Sequence, residues 1–413
     1  MKNNTSVIRD ILIFIALLGL LLSLSCASVG LLSDKYPEEF YKVPRLLPDK
    51  TIRGDATFLV YSDNQAGWRA RDVFFNKTNW QTWKLALFPF YELYLLGNGA
   101  VGAINWYRHA PDYGKGTRLM VRDAIYDEAK HSRAKFILNV GDISAHDGRR
   151  RSHWATFIKE NKIDHPLLNE IPYLPVIGNH ECANNSTYGY ANFQAVFDYP
   201  RFYVVEFDNA AVFVVDSNYL IDQKDFLENV YQDELFEKWF ISSKDNEPAW
   251  LEQQMMNYDK PFKIVAMHHP PFSFNHHYSD WLDSENGNDL LEKRRKLLDL
   301  FMKYKVQVVF SGHDHLYQHN LLSYGSMEQI HFLVGGGGGV PLRKVANSKH
   351  LAEIKKQYES QGFAIVAAKQ ERFFHYYVVD INDRTLTIQS REIIDNPEQP
   401  TRPIETIVID NPQ

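Results

Sequence analysis

A chain of 413 residues, 45% hydrophobic and 23% charged, has the make-up of a globular protein and room for one large catalytic domain or two ordinary ones. Its net charge of −6 and pI near 6.2 argue against a nucleic-acid backbone as the main partner, because that role leaves a strongly basic footprint. With only Cys26 and Cys182, the fold must rest on its core and not on disulfides.

Residues 1–32 stand apart from the fold. Lys2 and Arg9 precede an apolar run from Ile11 to Leu32. A positive start followed by an apolar stretch is the layout of an export signal. The run is also long enough to span a bilayer, which takes about 20 residues. Cys26, in LLSLSCAS, resembles the lipidated cysteine of a bacterial lipoprotein signal, although Ser23 stands where leucine is usual. A lipid anchor on Cys26, a cleaved signal and a retained signal anchor all place the remaining chain outside the cytoplasm, and the first and third attach it to a membrane. Residues 33–52, with Pro37, Pro44 and Pro48 among charges, read as a tether. Asn76, Asn184 and Asn185 open Asn-x-Ser/Thr sequons.

Strand-like runs then recur, each ending in polar residues. Thr57–Tyr61 leads into Ser62-Asp63-Asn64-Gln65, and Lys135–Val140 into Gly141-Asp142. Tyr173–Ile177 leads through Gly178 into Asn179-His180-Glu181. Lys263–Met267 leads into His268-His269-Pro270-Pro271, and Val306–Phe310 into Ser311-Gly312-His313-Asp314-His315. Helical segments are expected at Arg118–Arg133, Trp250–Tyr258 and Leu290–Tyr304. Alternation of strand and helix implies a mostly buried sheet flanked by helices, and ligands of such sheets gather at the carboxyl ends of the strands. Residues 66–115 form an insertion rich in aromatics, read either as a helical hairpin or as a hydrophobic lid. After His315 the chain turns strand-rich, with Gln329–Val334, Phe363–Ala368 and Phe373–Arg391. The run VGGGGGVPL (Val334–Leu342) reads as a flexible turn, since it lacks the spacing of a nucleotide-binding loop.

Two divalent cations about 3.5–4 Å apart need a bridging carboxylate and further oxygen and nitrogen donors, with a position left open for water. Asp63, Gln65, Asp142, Asn179, His268, His313 and His315 offer that set, and His180 adds an imidazole free to move protons. The motifs SDNQ, VGDISAHDG, IGNHE, MHHPPF and SGHDHLY, in this order, resemble those of the calcineurin-like metallophosphoesterase superfamily. The resemblance implies a four-layer α-β-β-α sandwich of two mixed β-sheets flanked by helices. It implies that Asp63, Gln65 and His315 bind a first metal, that Asp142 bridges, and that Asn179, His268 and His313 bind a second. His269 is the weaker candidate beside His268. Two ions of Fe, Mn or Zn are the implied cofactors. The implied chemistry is hydrolysis of a phosphate mono- or diester by metal-bound water or hydroxide. His180 would serve as general acid, oriented by Glu181 or another acid.

Three positions depart from the family's patterns. Gln65 replaces the histidine most members carry. Ala145 stands where purple acid phosphatases carry a tyrosine ligand, so the chain looks closer to the small bacterial phosphoesterases. His146 stands where Ser/Thr protein phosphatases carry a phosphate-binding arginine. His146 and Arg149 are candidates for contacting the phosphate, the bland reading of Arg149-Arg150-Arg151 being a solvated helix start. His165, His276 and His331 read as structural or exposed, Asp314 as facing away between two ligands, and Phe373/Phe374 as packing. One domain is expected over residues 53–413, with the strands of 321–413 completing the sandwich. The rival reading is a surface lipoprotein that keeps the metal-binding fold with little or no catalysis.

Overall fold

The computed structural model describes residues 29–45, 51–67, 114–145, 148–182, 187–221, 238–241, 249–281, 289–324, 328–396 and 399–412. The apolar run to residue 28 with Cys26, the insertion over 68–113, His146 and the three sequon asparagines lie outside the described residues. Among the described residues no helix is long and apolar enough to cross a membrane.

Among the described residues thirteen strands form two sheets. In chain order they are β1 (Ala56–Tyr61), β2 (Ile137–Asn139), β3 (Tyr173–Pro175), β4 (Tyr203–Glu206), β5 (Ala210–Val214), β6 (Phe262–Ala266) and β7 (Val308–Ser311). These are followed by β8 (Tyr317–Tyr324), β9 (Glu328–Gly335), β10 (Ile365–Glu371), β11 (His375–Ile381), β12 (Thr385–Ile393) and β13 (Thr401–Asp410). The first sheet runs β13-β12-β11-β1-β2-β3 and the second β10-β8-β9-β7-β6-β5-β4. Both are mixed. β1, β2 and β3 are parallel neighbours, while β11 pairs antiparallel with β1, setting Leu59 opposite Val378. β5, β6, β7 and β9 are parallel, with antiparallel partners at either side.

Alternation along the second sheet shows how the layers stack. Val212, Val214, Ile264, Ala266, Val308 and Phe310 share one core with Phe58, Val60, Ile137 and Val379 of the first sheet. The intervening Ala211, Phe213, Val265 and Val309 share the other core with Leu251 and Met255, with Leu297 and Phe301, and with Ile354 and Tyr358. Those last three pairs lie on helices Trp250–Asn257, Asp289–Lys303 and Ser348–Ser360. On the first sheet's side, helix Lys115–Ser132 adds Val121 and Ile125 to the buried cluster that includes that sheet's strands. The result is helix, sheet, sheet, helix. The five motif-bearing runs supply β1, β2 and β3, parallel neighbours running to one edge of the first sheet, and β6 and β7, neighbours at the centre of the second, so their carboxyl ends converge.

Two expectations are corrected. The stretch read as a tether, 33–52, is docked where it is described, and so are residues 29–32 at the end of the segment read as standing apart from the fold. Leu32 is fully buried, Tyr41 and Val43 are buried, and Val29 bridges Arg150. Asn192 clamps the docked stretch. Its Oδ1 accepts Leu32 N–H at 2.8 Å, and its Nδ2 donates to the carbonyls of Gly30 and Gly148, each at 3.0 Å. Lys162 Nζ donates to the carbonyls of Glu39 and Lys42. Isolated apolar residues among prolines and charges carry no periodic signal, so this burial was not legible beforehand. The glycine run is likewise no flexible turn. Its residues are buried, and a Cβ on Gly338 would stand 1.9 Å from the Ser62 carbonyl oxygen. Close approach to the loop after β1 is what requires glycine there.

Truncating the docked stretch should therefore be felt by the whole domain. Leu32→Ala is expected to lower the free energy of unfolding by about 2–5 kcal/mol, read as a shift of the urea midpoint.

Candidate metal centre

Each sequence-predicted ligand in the described region reaches one place at the joint end of the two sheets. Four of them stand in strained backbone. Asp63 (φ 62°), Gln65 (φ 41°), Asp142 (φ 55°) and His313 (φ 72°) all have positive φ without being glycine. Such conformations persist only where the surroundings enforce them, and they cluster at functional sites. Backbone bonds enforce them here, with Asp63 N–H donating to Gly141 O at 3.1 Å and Gln65 N–H to Asp142 O at 3.0 Å.

Asp142 lies in the middle. Its Oδ1 accepts His180 N–H at 3.0 Å and is 3.2 Å from His268 Nε2. Its Oδ2 is 3.1 Å from Gln65 Nε2 and 3.4 Å from His180 Nε2. The carboxylate thus turns one oxygen to each half of the site. On one side Asp142, His268 and His313 bring donor atoms within 4.8 Å of one another, and on the other Asp63, Asp142 and His315 do so. Asn179 joins the first side, its Oδ1 being 2.9 Å from His268 Nε2. Gln65 joins the second, its amide 3.3 Å from His315 Nε2. A half-turn of that amide would present Oε1 instead of Nε2.

Burial alone would raise the Asp142 carboxyl, but the facing imidazoles of His180, His268 and His313 hold it well below the usual range. His268 is pushed up to about 9 although burial opposes it, because Asp142 and Asp63 favour its charged form. Burial lowers His180 and, more strongly, His313. His268 Nδ1 faces Val140 O at 2.8 Å, which leaves Nε2 for the site. His269 belongs to neither donor set. Its Nδ1 is 2.8 Å from Ser217 Oγ, and burial brings its pKa down to about 3.

The residues fit a pair of cations on an observation independent of the motifs. Asp63 Oδ1 is buried with no hydrogen-bond partner, 3.4 Å from His315 Nε2. A bare carboxylate oxygen costs too much to bury unless something positive meets it. Asp63 Oδ2, by contrast, is satisfied by Ser62 Oγ at 2.5 Å and by His313 N–H at 2.9 Å.

Glu181 does not orient His180, as adjacency had suggested. Its carboxylate points the other way and accepts N–H bonds from Gly178 (2.8 Å), Asp142 (3.1 Å) and Ser144 (2.8 Å), sewing two motif loops together. Burial and the neighbouring Asp142 charge push it up to about 7. Asp314 faces away as expected, accepting from Ser273 and, at 3.0 Å, from Gln318. Arg149 accepts Gly30 N–H through its carbonyl and is half-buried on the loop after Asp142, while Arg151 opens helix Arg151–Ile158. Phe373 packs on Tyr317, and the ring of His165 meets that of Tyr126. Two residues went unanticipated. His277 and Asp280 form a third donor group with His313. The only prior signal was their i, i+3 spacing in a stretch without hydrophobic period.

Residues 109–317, about half of the chain, match the family model of the calcineurin-like phosphoesterases. Tartrate-resistant acid phosphatase type 5 of Sus scrofa is 25% identical over 59% of this chain and 72% of its own length. Probable inactive purple acid phosphatase 27 of Arabidopsis thaliana is 24% identical over 66% of this chain and 44% of its own length. Among solved structures, the purple acid phosphatase PPD1 from yellow lupin seeds aligns with a TM-score of 0.52 at 14% identity, over 88% of this chain and 55% of that one. The fold matches even though Ala145, buried after Ser144, offers no ligand.

Glu181→Leu would leave its three N–H donors without an acceptor, at about 1–3 kcal/mol each. It should destabilise the chain by at least one such step in chemical denaturation, with Glu181→Gln losing less.

Proposed function

The chain belongs to the calcineurin-like phosphoesterase family and is a metal-dependent phosphoric ester hydrolase, and we propose that it cleaves a phosphate mono- or diester at the centre built around Asp142. The observation that carries this reading is the division of Asp142's two oxygens between two donor sets. Asp63, Gln65 and His315 would hold one cation and Asn179, His268 and His313 the other, with Asp142 shared. Two cations bound there supply Lewis-acid charge and a nucleophile competent at neutral pH.

The protein's own part is positioning and proton transfer. The left-handed turns at Asp63, Asp142 and His313 fix the ligands before a substrate arrives. His180 stands beside Asp142 with a half-buried ring, and its backbone N–H holds Asp142 Oδ1. From there its imidazole can give a proton to the oxygen leaving phosphorus. The positive start and apolar run of residues 1–32 support an exported protein held at a membrane, by that segment or by lipid on Cys26.

Metal content and hydrolysis of p-nitrophenyl phosphate and bis-p-nitrophenyl phosphate test the reading. The chain should begin no later than residue 29, since the docked stretch belongs to the fold. Asp142→Asn is expected to lose metal and turnover together. His180→Ala is expected to keep metal while turnover falls by about 10²–10⁴-fold. Folded protein that takes up no metal would refute the proposal.

A further inference from the structure

We propose that Asp280 is a positioning residue for the second metal ion, holding His313 by Nε2–H so that Nδ1 is the nitrogen presented to the cation. The inference rests on the two-metal reading above. It begins from one carboxylate oxygen with two imidazoles on it. Asp280 Oδ2 is 2.9 Å from His313 Nε2 and 2.8 Å from His277 Nδ1.

A neutral imidazole has one N–H and one lone pair, so the nitrogen that donates to a carboxylate fixes the other as acceptor. At His268 the off-site nitrogen, Nδ1, faces the Val140 carbonyl and leaves Nε2 toward Asp142 and Asn179. Asp280 does for His313 what Val140 does for His268, with a full charge in place of a carbonyl dipole. Metal-ligating histidines usually spend their second N–H in this way, which sets ring orientation and raises ligand basicity.

The surroundings make Asp280 a fixed support. It sits on the short helix His276–Trp281, whose Trp281 is buried and donates Nε1–H to Pro270 O at 2.8 Å. That bond fastens the turn to the His268-His269-Pro270 loop. His313 is independently tied at its backbone, its N–H donating to Asp63 Oδ2 at 2.9 Å. The His313 main chain therefore answers to a first-metal ligand and its side chain to Asp280. His277, its ring centroid 3.7 Å from that of His313, completes the cluster at the edge of the site. The rival use of these groups is a third cation bound by His277, Asp280 and His313 directly. Two imidazoles already lie at ordinary hydrogen-bond distance from the one Asp280 oxygen, so they would have to give way.

The test is metal binding to the full chain in detergent, by calorimetric titration with Mn²⁺ and elemental analysis of the loaded protein. Wild type, Asp280→Asn, Asp280→Glu and His277→Ala are compared, with melting of each metal-free protein as the folding control. The expected result is two ions in wild type. Asp280→Asn should leave the tighter or weaker first site as it was and weaken the second by about 10–100-fold, with partial recovery in Asp280→Glu. His277→Ala should leave both affinities as in wild type. Unchanged second-ion affinity in Asp280→Asn overturns the proposal while leaving the two-metal reading intact. A third ion in wild type that Asp280→Asn loses also overturns it, because Asp280 is then a ligand itself. No ion bound by folded wild type removes both readings together.

Discussion

A carboxylate with no exposure to water, Asp142, is the constraint around which the centre is built. Burying such a charge is unfavourable unless opposite charge and hydrogen bonds meet it. The fold meets it from every side, with a backbone N–H from His180, an imidazole from His268 and an amide from Gln65. The neighbouring glycine follows from the same crowding. A Cβ on Gly178 would lie 2.3 Å from Asp142 Oδ1, so the chain that delivers Asn179 and His180 can pass Asp142 only without a side chain. The break of an apolar strand at a glycine into Asn-His-Glu is thus a packing requirement of Asp142.

Convergence of the loops is the second half of that requirement. β1, β2 and β3 are parallel neighbours in one sheet, and β6 and β7 in the other, so all five discharge their polar residues at one end. The two sheets are held in register by a shared core. Glu181 and the glycine run then fix the loops to each other rather than to the sheets, through N–H bonds in one case and bare van der Waals contact in the other. A site placed this way depends on the relation between sheets, which is why residues from β9 onward, far from any motif, still bear on it.

The parts legible in the sequence were those where a short apolar run ends abruptly in chemistry. β1, β2, β3, β6 and β7 and all seven candidate ligands announce themselves in that way. Other parts were hidden for identifiable reasons. β4 and β5 are short and close together, and β13 is largely exposed, so neither shows a clear period. The docking of Leu32, Tyr41 and Val43 depends on partners distant in sequence, Asn192 and Lys162 among them. Glu181 was misread because sequence adjacency suggested a partnership with His180 that the turn of the chain prevents. His277 and Asp280 lie against His313, more than thirty residues later, and only the fold brings them together.

The two halves of the centre are not equivalent, and the inequality follows from residue chemistry. The first position would draw on two carboxylates, one amide and a single imidazole, from Asp63, Asp142, Gln65 and His315. The second would draw on two imidazoles, with Asn179 and the shared Asp142. Carboxylate and amide oxygens suit harder ions, whereas imidazole nitrogens suit borderline ones. Replacing the usual histidine by Gln65 shifts the first position toward oxygen donors, whereas Ala145, where a tyrosine oxygen would otherwise stand, supplies no donor. Neither change removes a carboxylate, and the orphaned oxygen of Asp63 still faces His315. On the proposed assignment, the departure at Gln65 would alter which ion the first position favours more than whether it holds one.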